Sequence, residues 1–188
     1  MEEKTVAEVF AKMKAHMLEG LVFHDEMARY YGFLNLKGYE KCHELHYAEE
    51  SIGYRKLCKY YMEHHNRLIP HIPMKQPNVI PEGWHNAKRQ DVDRNTLQTG
   101  IKAGTKKWVE WERETKELYS DLYFSLVELG DAASAGLVEG FVEDVDEELR
   151  CAESKHLTLE SIGYDLLTIT SEQDRLYEKY RYELEKLL

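Results

Sequence analysis

The sequence predicts an all-α fold, a four-helix bundle with one long crossover between helices 2 and 3 and an extra helical segment at the C-terminus. Three observations carry this. Apolar residues recur at three- and four-residue steps through four long stretches. All four prolines fall within residues 69–98. Two short turns, at 35–38 and 130–131, separate the helices on either side of that region, and turns that short lay consecutive helices antiparallel.

The first helix is expected over about residues 5–33. Thr5 followed by Glu8 has capping-box spacing. Val6, Val9, Phe10, Met13, Met17, Leu21, Met27 and Tyr31 mark its apolar side. After the turn Asn35–Gly38, the second helix is expected over about 38–68, buried along Leu45, Ile52, Leu57, Tyr60 and Tyr61 and ended by Pro70.

Residues 69–98 form the crossover. Ile69, Ile72, Val79, Ile80 and Trp84 are too apolar for a free tether, so residues 1–188 read as a single domain. The third helix is expected over about 100–129, with Trp108, Trp111, Leu118, Leu122 and Leu126 in helical register and Gly130-Asp131 closing it. The fourth is expected from Ala132 past residue 165, and a last segment over 171–188 has Ser171 as a candidate N-cap. Gly53 and Gly163 are then both mid-helix, at a cost of about 1 kcal/mol each relative to Ala.

Composition narrows the function classes. The net charge is −10, which argues against nucleic acid and anionic membranes as partners. Three cysteines without C-x-x-C spacing argue against a disulfide framework or a thiolate zinc site. No run is long enough to span a bilayer. The charged start Met1-Glu2-Glu3-Lys4 is unlike a signal peptide. A cytoplasmic location is expected.

The chemistry centres on His43-Glu44-Leu45-His46-Tyr47-Ala48-Glu49-Glu50-Ser51-Ile52-Gly53-Tyr54. On a helix His43, His46, Glu50 and Gly53 share one stripe. Two imidazoles and a carboxylate on a stripe suit either metal ligation or a polar seam hydrogen-bonded to acids. Glu49 and Glu50 are adjacent, so only one can face inward. Glu50-Ser51-Ile52-Gly53-Tyr54 recurs as Glu160-Ser161-Ile162-Gly163-Tyr164, and His46 recurs as His156 in the same register. This echo suggests a duplicated helical hairpin.

Through Glu49-Glu50-Ser51-Ile52-Gly53-Tyr54-Arg55-Lys56-Leu57, and again from Trp111 through Gly130-Asp131 to Glu148, the chain resembles the ferritin-like superfamily. Such bundles place a Glu on each of two helices and a Glu-x-x-His on each of the other two, all pointing inward to hold two metal ions. The resemblance implies iron or manganese as cofactor, as a dinuclear carboxylate centre, with metal ions as partners. It also implies iron oxidation for storage or detoxification, and a homo-oligomer. It puts Glu19 on the first helix, Glu50 on the second, Glu112 on the third and Glu148 on the fourth. It also puts Gly53 and Val145 where the family has ligands, and neither can bind metal.

One intact Glu-x-x-His exists, Glu153-Ser154-Lys155-His156. It defines an alternative level built from His46, Glu50, Glu153, His156 and Glu160, with Glu26 opposite. The sequence leaves both levels open. A bundle without metal, serving as an oligomeric or partner-binding scaffold, is the alternative the missing ligands favour. An oxygen-dependent oxidase on the same bundle would need a substrate pocket.

Overall fold

The structure is a computed structural model that describes residues 5–80, 84 and 87–188. The described residues are all helix, turn or coil. The long helices are α1 (Val6–Phe33), α2 (Lys37–His65), α3 (Arg94–Glu128) and α4 (Ala132–Ser161). Two shorter ones follow, α5 (Leu166–Ser171) and α6 (Gln173–Leu187). The starting stretch Met1–Lys4 and the crossover residues Pro81 and Gly83 lie outside the described residues.

Local chemistry explains the helix ends. Thr5 and Glu8 form the expected capping box at the start of α1. At the end of α1, Asn35 takes φ 61, its N–H reaches Gly32 O and the Leu36 N–H reaches Tyr31 O. That is a Schellman turn with Asn in the left-handed seat usually held by Gly. The same pair of bonds closes α3 around Gly130. Asp131 then caps α4 by accepting the Ser134 N–H at 3.0 Å.

The fourth helix stops earlier than the sequence suggests. Gly163 has φ 59 and closes α4 in a third Schellman turn, with Tyr164 N–H on Leu159 O. Asp165 then accepts the Thr168 N–H at 2.9 Å and starts α5. The repeated pentapeptide therefore adopts two conformations. Gly53 runs on through α2 because Arg55, Lys56 and Leu57 continue the helix, whereas an N-capping Asp follows Gly163 and Tyr164. Glu50 and Glu160 are not equivalent in space, so the echo does not report a structural duplication.

α1 packs along α2, α3 packs along α4, and α6 lies against α2. The contact of Gly38 with Gln173 and Leu176 starts α6 at the N-terminal end of α2. The crossover is tied to α1 along its length. Ile69 and Val79 are buried. Lys14 Nζ donates to Ile69 O at 3.3 Å, and the Lys75 N–H donates to Glu19 Oε1 at 2.6 Å. Arg89 donates to Asn35 Oδ1 at 2.8 Å.

The core divides into two apolar clusters. One contains Phe23, Leu45, Trp111 and Leu149. The other contains Met17, Leu57, Tyr119 and Val145. On each of the four helices the break between them falls at one level, at Gly20, Glu50, Thr115 and Glu148. A polar layer crosses the bundle there.

Candidate metal centre

Four stripes build the polar layer. α1 brings His16, Gly20 and His24, spaced i, i+4, i+8. α2 brings His43, His46 and Glu50. α3 brings Trp108, Glu112, Thr115 and Tyr119, and α4 brings Glu148. The spacings keep each set on the inward face. Gly20 has a specific job. A Cβ at that position would lie 2.8 Å from Glu50 Oε1 and 3.1 Å from its Cδ, so the absence of a side chain is what lets the Glu50 carboxylate rest against α1.

Glu112 is 1 % exposed. Trp108 Nε1–H donates to its Oε1 at 2.8 Å, and His24 Nε2 stands 3.7 Å from the same oxygen. A hydrogen bond to a charged group contributes about 1.5–3 kcal/mol, while a buried ion loses several kcal/mol of solvation. Burial therefore wins. Together with the nearby Glu148 charge, it pushes the Glu112 carboxyl up to about 8. Glu50 is pushed well above the usual carboxylate range by burial first, then by Glu148 and Glu112. The same carboxylates, after burial itself, raise the Tyr119 phenol.

The imidazoles are packed face to face. His24 and His43 stack with centroids 5.3 Å apart, and their Nδ1 atoms are 3.1 Å apart. One ring donates and the other accepts. Burial, reinforced by neighbouring histidines, drives both well below the ordinary histidine range. When His24 Nδ1–H is the donor, its Nε2 keeps a lone pair facing Glu112, the tautomer a metal ligand needs.

His46 differs. Burial opposes its charge, but Cys42, Glu148 and Glu49 outweigh that and hold it well above the ordinary range. Its Nδ1 is 3.3 Å from Glu49 Oε2 and 3.6 Å from Glu148 Oε1. One ligand atom from each of His46, Glu49 and Glu148 lies within 4.8 Å of the others.

The layer contains unsatisfied polar atoms. His24 Nε2, His46 Nδ1 and the Tyr119 hydroxyl are buried without a hydrogen-bond partner. Crowded carboxylates that cannot all ionise, beside an unpartnered His24 Nε2, form a donor set that suits a divalent cation. Oxygen and imidazole donors suit iron and manganese.

The structure brings together Glu50, Glu112, Glu148 and His46 from the sequence-derived candidates. Glu19 lies elsewhere, between the Lys75 N–H of the crossover and His16. Glu153 pairs with Arg113 at 2.8 Å on the exposed faces of α3 and α4. His156 sits toward the end of α4, with Thr105 at 3.1 Å, Tyr164 at 3.4 Å and Glu160 at 3.6 Å. Glu26 lies near the exposed Arg29. The layer thus draws on both expected levels, with carboxylates from one and His46 from the other.

Sequence reasoning did not single out His24, Glu49 or Tyr119. The signal for His24 was the His16–Gly20–His24 stripe, two imidazoles flanking a residue with no side chain. The expectation that only one of Glu49 and Glu50 turns inward holds. Glu50 enters the layer, and Glu49 stays at its edge with a side chain 39 % exposed. His16 does not join the group. It hydrogen-bonds Thr115 at 2.7 Å and stacks on Trp111 at 4.7 Å.

Beside the layer, between α2 and α4, opens a cavity of about 460 Å³. Met17, Gly53, Phe141 and Val145 form the apolar side of its floor, and His46, Glu50 and Glu148 the polar side. Gly53 and Val145, the two positions without ligands, lie together on the apolar side. Cys151, Tyr180 and Leu187 line it too, so α6 borders the opening.

Archaeal ferritins are among the solved structures that share this architecture. A humanised archaeal ferritin superposes with a TM-score of 0.76 over 92% of this chain and 94% of its own, at 18% identity. The fold is ferritin-like. An open-pore ferritin from the hyperthermophilic archaeon Archaeoglobus fulgidus gives a TM-score of 0.74 and 17% identity over the same shares. A closed form of the Archaeoglobus fulgidus ferritin, engineered by site-directed mutagenesis, gives 0.75 at 17% identity. No protein-family model and no curated protein matches the chain significantly. Among the described residues, no helix of this ferritin-like bundle is long and apolar enough to cross a membrane.

Proposed function

We propose that this ferritin-like bundle binds divalent metal, iron or manganese, in its polar layer. Glu50, Glu112 and Glu148 are the carboxylate ligands, and His46 and His24 the imidazole ligands. One observation carries the reading. Glu112 is fully buried with its pKa raised to about 8, facing an imidazole nitrogen that has no partner. Without a cation, that arrangement costs stability and yields nothing.

Bound metal would supply Lewis-acid and redox chemistry at this level of the bundle. The chain's residues do the rest. His43 fixes the His24 tautomer through the Nδ1 contact, and Trp108 orients Glu112. Gly20 leaves room for Glu50 to reach inward, and the buried Tyr119 hydroxyl stands beside the carboxylates as a hydrogen-bond donor. With iron as substrate, the proposed activity is oxidation of Fe(II) by oxygen or peroxide for storage or detoxification. Assembly into a homo-oligomer and a cytoplasmic location belong to the same proposal.

A second reading keeps the ferritin-like scaffold without metal, as an oligomeric or partner-binding bundle. Met17, Gly53 and Val145, which make one side of the site apolar, favour it. Metal analysis of protein purified without chelator, followed by Fe(II) oxidation kinetics, separates the two. Retained metal that is lost in Glu112→Gln supports the first. Metal at background level with unaccelerated oxidation leaves the second.

A further inference from the structure

The cavity beside the polar layer is far larger than a metal site requires. A water molecule takes up about 30 Å³ of liquid, so an ion with one or two waters fills only part of 460 Å³. The remaining space is bounded by Met17, Gly53, Phe141 and Val145. None of these offers an oxygen or nitrogen donor to a hard metal ion or its waters. The volume lies within the range of small-molecule pockets, and the mixture of an apolar wall with a few polar groups matches them too.

The mouth has a definite charge. The exposed Asp144 and Glu147 line it, with Lys56 as their counterpart, while the Glu49 carboxylate turns to His46. Lys56 is exposed as well, and the carboxylates there outnumber the cation. With Glu50 held protonated by burial and His46 held charged by its acidic neighbours, the negative field belongs to the mouth. Such a field repels organic anions and draws cations. The Phe141 ring already accepts a cation, with Lys56 Nζ 5.1 Å from its centroid.

We propose that the cavity binds a small organic cation, a primary amine on an alkyl or arylalkyl body. The body lies against Met17, Gly53, Phe141 and Val145, and the ammonium lies at the mouth between Asp144 and Glu147. This rests on the metal-binding reading only for what the inner end of the ligand meets at the floor. Burial of a body of about six carbons supplies the apolar contact, and the ammonium adds the charge selectivity.

Calorimetric titration of the full chain tests this, with hexylamine, hexan-1-ol and hexanoate as probes, at low salt, metal-free and Mn(II)-loaded. Hexylamine should bind at least about tenfold more tightly than hexanoate. The Asp144→Asn/Glu147→Gln double variant changes two exposed residues and should leave the fold intact. It should weaken hexylamine several-fold and leave hexan-1-ol unchanged. Val145→Phe, which fills the apolar wall, should weaken both. Hexanoate or hexan-1-ol binding as tightly as hexylamine would overturn the proposal, as would hexylamine binding indifferent to the double variant. Mn(II) uptake without hexylamine binding defeats this proposal alone. Hexylamine binding without Mn(II) uptake defeats only the metal-binding reading.

Discussion

Glu112 shows how a single buried acid constrains the site. Its pKa of about 8 means that at neutral pH the metal-free protein holds a proton there, which a bound ion must displace. Metal uptake at pH 7 should therefore release protons, seen as a binding enthalpy that varies with the ionisation heat of the buffer. In Glu112→Gln that dependence should shrink together with the metal stoichiometry. The sign for stability follows. An acid whose folded pKa is raised is favoured in its protonated form, so the metal-free fold loses stability as pH rises from about 4.5 to 8. Glu50→Gln, which removes one of the crowded carboxylates, should raise the melting temperature of the metal-free protein while lowering its metal content.

His16 acts in the opposite direction over a lower window. Burial, then the positive charge of Lys75, lowers it from 6.5 to about 4. The unfolded chain takes up a proton below about 6.5 that the folded chain refuses until about 4. Folding stability should fall over that interval by up to about 3 kcal/mol. Denaturant titrations at pH 7 and pH 4.5 should show the loss, and His16→Phe should remove much of that slope.

At the scale of elements, the repeated pentapeptide gives a paired test. Gly53 is helical, and its added Cβ would meet Phe141 at 3.3 Å, a contact a small ring shift relieves. Gly53→Ala should stabilise by about 0.5–1 kcal/mol. Gly163 has φ 59, a left-handed seat that disfavours any side chain, so Gly163→Ala should destabilise by about 1 kcal/mol. Chemical denaturation of the two variants should give opposite signs.

These elements also show what was legible in the sequence. The four long helices, the crossover, the Thr5 cap and the Gly130 turn were readable because each rests on local spacing. The end of α4 was not, because Gly163 inside an apolar pattern looks like Gly53 until Asp165 is seen to cap a new helix. The centre was half readable. Glu50, Glu112, Glu148 and His46 follow from helical stripes and a family resemblance. His24 was hidden because its partners, His43 and Glu112, sit on two other helices. No spacing within one helix reports such a meeting. Glu153-x-x-His156 is the complementary case. Its spacing is right, but it lies away from the level where the four stripes converge.

In the whole molecule, the two apolar clusters explain why a polar layer is tolerated. Each is continuous on its own side, and the buried aromatic residues Tyr31, Trp108 and Trp111 supply large apolar contact beside it. Stability not spent on the layer comes from these packed ends, so loss of metal should lower the melting temperature without unfolding the chain at room temperature. The crossover closes one side of the bundle through Ile69 and Val79. The opposite side, between α2 and α4, carries the cavity. That side is lined by the exposed carboxylates Asp144 and Glu147, which attract cations toward the layer.

The central claim is that the polar layer binds metal through Glu50, Glu112 and Glu148. It is tested most directly by metal content per chain in Mn(II)- or Fe(II)-loaded, desalted protein, compared with Glu112→Gln prepared in parallel. The account predicts about one ion per chain or more in the wild type, falling sharply in the variant while helical content is unchanged. Background metal in both proteins, or equal metal in both, would contradict it.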